Sequence, residues 1–562
     1  MIRSPSTPDG RLGAVVGLAT VVGLILRAWP PGRLGLNQFD EGIYALAAGW
    51  ARHPSGIAAI SPGLIPYAPP GYPLAVGVAA WFVGGADQAA FLVSAICGAA
   101  TIPAVALVAR RLVGAPAAAV AAWCACLSGP HIAFSRMALT DATFLCAWTI
   151  GLLAGREFLA APRLATGFLM GLMVGVAQEC KYNGWLLGAL VILTAGVDLA
   201  TAPRSRSRGE WVRLGCWGGA GALVAAAVVA PWFWFVERHG GYAGLLAHQG
   251  SYLGGWAAWW PNLQAQGRQA VALAGPPGLG WCNAIAAAAA CWWVGRVGAE
   301  APPGRGWVGL ALGAAAVGVL AASPVVAGLI ALPGLCLACR GANRLLVVGW
   351  AVLGVLSPFY HPYARLWLPF EMLHWVVLGS LAARLVALPI AQPRFRGMGR
   401  GDGWVLGATG LAVAAALVAG PGFPPGRAGG VGSRLFEPSD SLRFAADEVA
   451  AAVPPGMRGL RTLVRPSMAY YLGGRVATMP VDGLEAFARG GEAGTWGLVD
   501  SALLPAGAEL PGSLRGRWEV ARAIRAWTTL PTQLDLDPTH PGEDPALEFA
   551  TFWLIRPRTL DP

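Results

Sequence analysis

Between residues 12 and 422 the chain is a succession of long apolar runs separated by short connections that carry arginine, and this pattern limits the fold more than any motif does. The runs fall at 12–26, 89–109, 115–135, 139–155, 164–178, 182–198, 214–236, 277–295, 307–322, 323–339, 345–359, 366–384 and 404–422. A bilayer offers backbone N–H and C=O groups no partners, so apolar segments that cross it close their hydrogen bonds internally as helices of about 20 residues. With 56% hydrophobic and only 12% charged residues, a soluble chain of two to four ordinary domains is excluded. The 78 glycines and 44 prolines lie inside and between apolar runs, which separates them from the weakly hydrophobic composition of disordered chains. The run at 12–26 has too few basic residues before it and too poor an end for a cleaved signal peptide, so it reads as the first spanning helix. The expectation is an all-α polytopic membrane domain of about thirteen transmembrane helices.

Charge orients these helices. The formal net charge is +11; up to residue 422 there are 26 Lys and Arg against 13 Asp and Glu, and from 423 onward 14 against 16. The basic residues stand in short separate clusters between apolar runs, an arrangement that suits membrane topology and not a nucleic-acid face. The stretch 72–84 breaks the sign pattern if it crosses the membrane. Read as an interfacial or re-entrant helix, it leaves 18 basic residues on the cytoplasmic side, among them Arg110, Arg111, Arg156, Arg206 and Arg344, against 8 outside. After Gly422 the composition changes, and 423–562 reads as a small soluble α/β domain on the outer side. Strands are expected at 460–464, 475–479, 496–499 and 552–555, with helices at 441–453 and 483–489. The division is therefore 1–422, with a first outer loop at about 30–88, and 423–562. The ten cysteines lie in apolar stretches and signal neither a disulfide framework nor a metal cluster.

The charges left on the outer side gather in four places. The first loop carries NQFDEGIYA, with Asp40 and Glu41 adjacent, followed by PYAPPGYPL. Two carboxylates at the start of an amphipathic helix serve either as acid–base groups at the water–lipid boundary or simply as complements to the positive helix end, with Asn37 as the cap. FSRMALTDA brings Arg136 and Asp141, and CKYNGWLL brings Lys181. This is the only lysine among 40 basic residues, a compact ammonium in a chain that otherwise uses the planar arginine fork. HPYARLWLP brings His361, Tyr363 and Arg365, with Glu371 just beyond.

In this order and on one face, the five motifs resemble polyprenyl-phosphate-sugar-dependent glycosyltransferases of the GT-C superfamily, in the branch of protein mannosyltransferases and the lipid A aminoarabinose transferase. The resemblance covers about residues 10–370. It implies a GT-C membrane fold and inverting transfer of a sugar from a polyprenyl-phosphate donor to a lipid, protein or glycan acceptor at the extracytoplasmic face. By the same resemblance Asp40 is the general base, Glu41 its backup or a positioner of the acceptor, and Asp141 an orienting group. Lys181, Arg365 and Arg136 are the phosphate-holding cations, with Tyr182, His361 and Tyr363 beside them as substrate-binding residues. The family uses a divalent metal in some branches only, so metal dependence stays open, with Asp40, Glu41 and Asp141 as the available ligands. A transporter or flippase is the competing class, but such proteins place ionisable groups near the bilayer midplane, and here they cluster at one face. The bias toward Arg, Ala and Gly suggests a GC-rich bacterial genome and hence the inner membrane. The loop at 237–276 and the tail carry no acceptor signature.

Overall fold

The structure, a computed structural model, describes residues 8–51, 69–112, 114–201, 206–272, 341–387, 436 and 438–558, with breaks at 456, 458, 474, 482, 490–494, 505–509 and 528–548. The expected spans at 277–295, 307–322, 323–339 and 404–422 lie outside the described residues, as does the expected domain boundary at 422. Among the described residues four helices are long and apolar enough to cross a membrane: α1 (Pro8–Ala28), α4 (Ala86–Leu112), α7 (Asp141–Ala160) and α10 (Arg208–Arg238). The run at 115–135 is one bent unit, α5 (Ala115–Leu127) and α6 (Gly129–Ser135), which meet at 56°. Its break falls at Ser128, whose hydroxyl accepts the His131 amide and caps α6, with Pro130 set in the first turn, where a missing N–H costs nothing. Shorter apolar helices are α3 (Gly71–Val83), α8 (Leu164–Cys180), α9 (Leu186–Thr201) and α13 (Arg344–Leu356); α11 (Tyr242–Ser251), α12 (Gly255–Ala272) and α14 (Leu368–Ala387) complete this part.

The bundle has a centre and a rim. Of the apolar stretch of α7, 72% is buried, against 17% for α10, so α7 is an inner helix and α10 shows most of its apolar surface to the surroundings. Small residues let the helices approach. Ala117 through Ala122 of α5 are fully buried, and Gly379 of α14 sits where an added methyl would fall 2.3 Å from the Ala117 carbonyl oxygen. On α8, Gly167, Gly171 and Gly175 form a glycine face against α10, and a methyl at Gly171 would lie 2.0 Å from the Gly221 carbonyl oxygen. The segment read as interfacial or re-entrant is α3, 13 residues and so about 20 Å long, too short for a crossing. It runs back along α4, its Tyr72 hydroxyl donating to the Ala90 carbonyl at 3.0 Å.

Charged side chains collect at the two ends of the bundle. At one end Asp198 accepts from Arg206 at 3.2 Å and Arg344 at 2.8 Å, while Arg156 reaches Glu157 at 2.7 Å and Asn343 at 3.0 Å. These are residues that the charge pattern assigned to one side. The motif residues stand at the other end, beneath the tail.

The tail is a five-stranded mixed sheet of order β2-β1-β3-β5-β4: β1 (Leu460–Leu463), β2 (Thr478–Pro480), β3 (Trp496–Asp500), β4 (Trp518–Trp527) and β5 (Phe549–Pro557). β1 is parallel to β2 and β3, and β5 is antiparallel to β3 and β4. Helices α15 (Ser441–Ala452), α16 (Pro466–Leu472) and α17 (Leu484–Arg489) pack beside it. The expected α/β class is borne out, and the expected strand at 475–479 is shifted to Thr478–Pro480. The edge strand β4 was missed. A bulge between Val520 and Arg522 interrupts its alternation, and exposed arginines on an edge hide a strand from a period-two reading.

Candidate functional site

The two adjacent carboxylates of the first loop have opposite fates. Residues 39–47 form α2 (Phe39–Ala47), capped by Gln38 and not by the expected Asn37. Glu41, in the first turn, turns back over the helix end. One of its oxygens accepts the Asn37 and Gln38 amides at 2.6 and 2.8 Å, and the other accepts the Ala138 amide at 2.8 Å. It is buried, and its charge is absorbed by three N–H groups. Asp40 faces outward from the same turn and meets Arg365, Oδ2 to Nη1 at 2.8 Å, with 31% of its side chain exposed.

A second ion pair lies nearby. Asp141 opens α7 and is buried, and its Oδ1 accepts the Lys181 ammonium at 2.5 Å. Lys181 follows the last turn of α8 in an extended conformation, which swings its side chain out of the helix line, and its ammonium lies 5.9 Å from the Phe144 ring centre. Arg365 sits in a short 3-10 turn, Ala364–Trp367, with its guanidinium over the Tyr363 ring at 4.9 Å. Residues 249–262, in the stretch left unassigned from sequence, fix this turn. The His361 amide donates to Tyr252, the Gly254 amide donates to Phe359, and the Asn262 side chain donates to the Pro358 and Tyr360 carbonyls. Tyr252 stacks on Tyr360 at 5.5 Å, and the Tyr360 hydroxyl donates to Gln249 at 2.6 Å.

These elements enclose a cavity of about 550 Å³. Asp40, Lys181, Tyr182, Tyr363 and Arg365 line it, and Asp40 is its sole carboxylate among the described residues. Phe144, Trp148, Leu186, Leu353 and Leu356 contribute apolar lining, and Tyr44, Gln249, Tyr252 and Tyr360 polar lining. Such a mixture suits a ligand with an apolar stem and a hydroxylated head. Burial pushes the Tyr44 and Tyr182 phenols up, and that of Tyr360 up to about 12, so all three stay neutral hydrogen-bonding groups.

Other sequence candidates fall elsewhere. Glu41 and Asp141 back the wall without lining it. Arg136 is buried, donating to the Leu26 carbonyl at 3.4 Å with its guanidinium 5.6 Å from the Phe436 ring centre. His361 packs edge-on to Tyr252, 6.3 Å between ring centres, and burial lowers its imidazolium pKa. Glu371 lies deeper and accepts the Ser128 hydroxyl at 2.7 Å. The three carboxylates do not fit a metal: Glu41 is bound to amides, each aspartate faces a cation, and no group of three potential ligands gathers among the described residues. Sequence reasoning missed Arg465, Ala502 and Leu503, which line the cavity from the tail domain. No motif flags them, because their relevance comes from a docking some 430 residues along the chain.

Residues 68–235 match the family model described as dolichyl-phosphate-mannose-protein mannosyltransferase. No curated protein sequence matches the chain significantly. Among solved structures, ArnT from Cupriavidus metallidurans bound to undecaprenyl phosphate is similar at 14% identity and TM-score 0.52, over 88% of this chain and 93% of that one. The Archaeoglobus fulgidus oligosaccharyltransferase in complex with Zn and sulfate is 15% identical with TM-score 0.47, over 87% of this chain and 68% of that one. The S. cerevisiae Pmt1-Pmt2 complex bound to the sugar donor gives 17% and 0.35, over 42% and 34%. Of these three, ArnT shares the fold. The likeness expected from the motifs is borne out: residues 68–235 match a mannosyltransferase family model, and the fold is GT-C-like, as in ArnT.

Proposed function

We propose that this chain is an inverting integral-membrane glycosyltransferase that moves a sugar from a polyprenyl-phosphate donor to an acceptor at the extracytoplasmic face of a bacterial inner membrane. The observation that carries the reading is the meeting of Asp40 with Lys181 and Arg365 around one cavity whose lining holds both apolar and hydroxyl-bearing side chains. The acceptor hydroxyl attacks the anomeric carbon from the face opposite the phosphate, so the centre inverts. As that bond forms, the carbon–oxygen bond to phosphate breaks, its electron pair leaves on the phosphate oxygen, and the hydroxyl proton passes to Asp40. Lys181 and Arg365 take up the charge that develops on the leaving group, the first as a point charge and the second through its fork. Before the donor arrives, each cation is occupied by an aspartate. Donor phosphate replaces Asp40 on Arg365, which frees Asp40 for the hydroxyl.

Asp141 aims Lys181, and Glu41 holds the loop that carries Asp40; both are positioning residues. Tyr182 and Tyr363 contact the substrate. Residues 1–422 form the membrane unit and 423–562 the outer domain. The distribution of basic residues, 18 against 8, supports the orientation.

The test is transfer by the purified protein in lipid nanodiscs supplied with polyprenyl-phosphate sugars, with acceptors found by mass spectrometry of envelope lipids, proteins and glycans in a deletion strain. A glycan missing from that strain, restored with inverted anomeric configuration by wild type, is the expected result. Movement of the donor across vesicles without transfer would replace this reading by transport.

A further inference from the structure

We infer that the tail domain is a positioning element of the catalytic site, acting through Arg465 and Ser467 on the backbone that carries Asp40. The inference rests on the proposed transferase reading only for its kinetic arm. Residues 33–38 run across the tail domain as a laced strap. Arg33 pairs with Asp440 at 2.6 Å, the Gly35 amide donates to the Ser439 hydroxyl at 2.9 Å, and the Leu36 amide donates to the Tyr471 hydroxyl at 2.8 Å. At the end nearest Asp40 the lacing reaches the carbonyls: Arg465 Nη1 donates to Asn37 O at 3.2 Å, and the Ser467 hydroxyl donates to Gln38 O.

Arg465 is aimed for this contact. Its Nε and Nη2 grip the two oxygens of Asp500 at 2.6 and 3.0 Å, both side chains are buried, and the remaining nitrogen points at Asn37. A planar fork fixed on one side has a single direction left on the other.

The N–H groups of the same two residues face the membrane unit. Glu41 accepts the Asn37 and Gln38 amides and ties them to Ala138. Asn37 and Gln38 thus donate toward one unit and accept from the other, and Asp40 follows two residues later. Gly42 supplies an independent observation: a methyl there would fall 2.0 Å from the Ser467 nitrogen and 2.3 Å from the Pro466 carbonyl carbon. Only glycine lets α16 sit directly on the helix that bears the base. A shift of the tail domain is therefore carried into the distance between Asp40 and the two cations, and misplacement of a reacting group by about 1 Å costs on the order of a hundredfold in rate.

The test uses the full chain in nanodiscs. Ser467→Ala and Gly42→Ala loosen the contact without stranding a charge. The double change Arg465→Gln with Asp500→Asn removes both members of the buried pair, since either change alone leaves the other uncompensated. In all three, hydrogen exchange of the amides at 33–41 is expected to quicken about tenfold, and kcat to fall about tenfold with donor KM within about twofold. Arg522→Gln, in an exposed pair with Glu448 on the outer strand, should change neither. Wild-type exchange and wild-type kcat in both Ser467→Ala and Gly42→Ala would overturn the inference even if the double variant unfolds. If wild type transfers no sugar, the proposed function fails, and the exchange measurement still decides this point.

Discussion

Two aspartates at opposite ends of the bundle are each held by arginine, but only one faces open space. Asp198 lies between Arg206 and Arg344 with 4% of its side chain exposed, joining the ends of α9, α10 and α13. Asp40 has one arginine, 31% exposure and a cavity of about 550 Å³ in front of it. The chemistry of the two pairs is the same, and its consequence differs. A closed ion pair has no exchangeable partner and serves architecture; a pair at a cavity can trade its partner for a substrate group.

Substitutions at four positions test this contrast, ranked by their effect on turnover. Asp40→Asn keeps the volume and removes the proton acceptor, so kcat should fall on the order of a hundredfold or more while thermal unfolding stays with wild type. Wild-type turnover at matched folded fraction would return Asp40 to a helix-end role. Lys181→Ala should lower both donor affinity and turnover, each by about tenfold or more, with Lys181→Arg intermediate because charge is kept while reach and shape change. Binding of a polyprenyl-phosphate donor to the three forms reads this directly, and unchanged affinity in Lys181→Ala would leave Arg365 as the phosphate ligand.

Glu41→Gln keeps one acceptor for the backbone amides and loses the charge that strengthens all three bonds. We expect a stability loss of about 1–3 kcal/mol and a smaller fall in kcat than for Asp40→Asn. Denaturant unfolding beside kinetics separates the two effects; equal kinetic loss in both variants would make Glu41 a participant. Asp198→Asn should cost on the order of 3 kcal/mol of stability and leave turnover per folded molecule unchanged. Lost turnover at full folded fraction would show that the two ends are coupled and that the closed pair is not purely architectural.

Much of the site was legible in the chain. Asp40, Asp141, Lys181 and Arg365 stand out because charged residues are rare in so apolar a sequence, and their motifs fall on one predicted side. The structure joins them in two pairs. What stayed hidden is the division of labour between neighbours. Asp40 and Glu41 are chemically alike and adjacent, and the difference arises because the α2 turn directs Glu41 at the amides of Asn37, Gln38 and Ala138 while Asp40 points to Arg365. Arg136 looked equivalent to Arg365, but burial against Leu26 and Phe436 keeps it out of the cavity.

The sequence by itself determined that the chain lives in a membrane, the order of its apolar segments, the α/β character of its tail and the residue types available at the candidate site. These follow from local composition and periodicity, which any segment carries regardless of its neighbours. Only the tertiary structure decided that the tail domain contributes Arg465 to the cavity wall, that residues 249–262 clamp the turn bearing Arg365, and which of the two adjacent carboxylates faces the cavity. Those outcomes depend on hydrogen bonds and close contacts between segments far apart in the chain, such as Ser467 against Gly42, and no local pattern encodes which distant partner will meet which group.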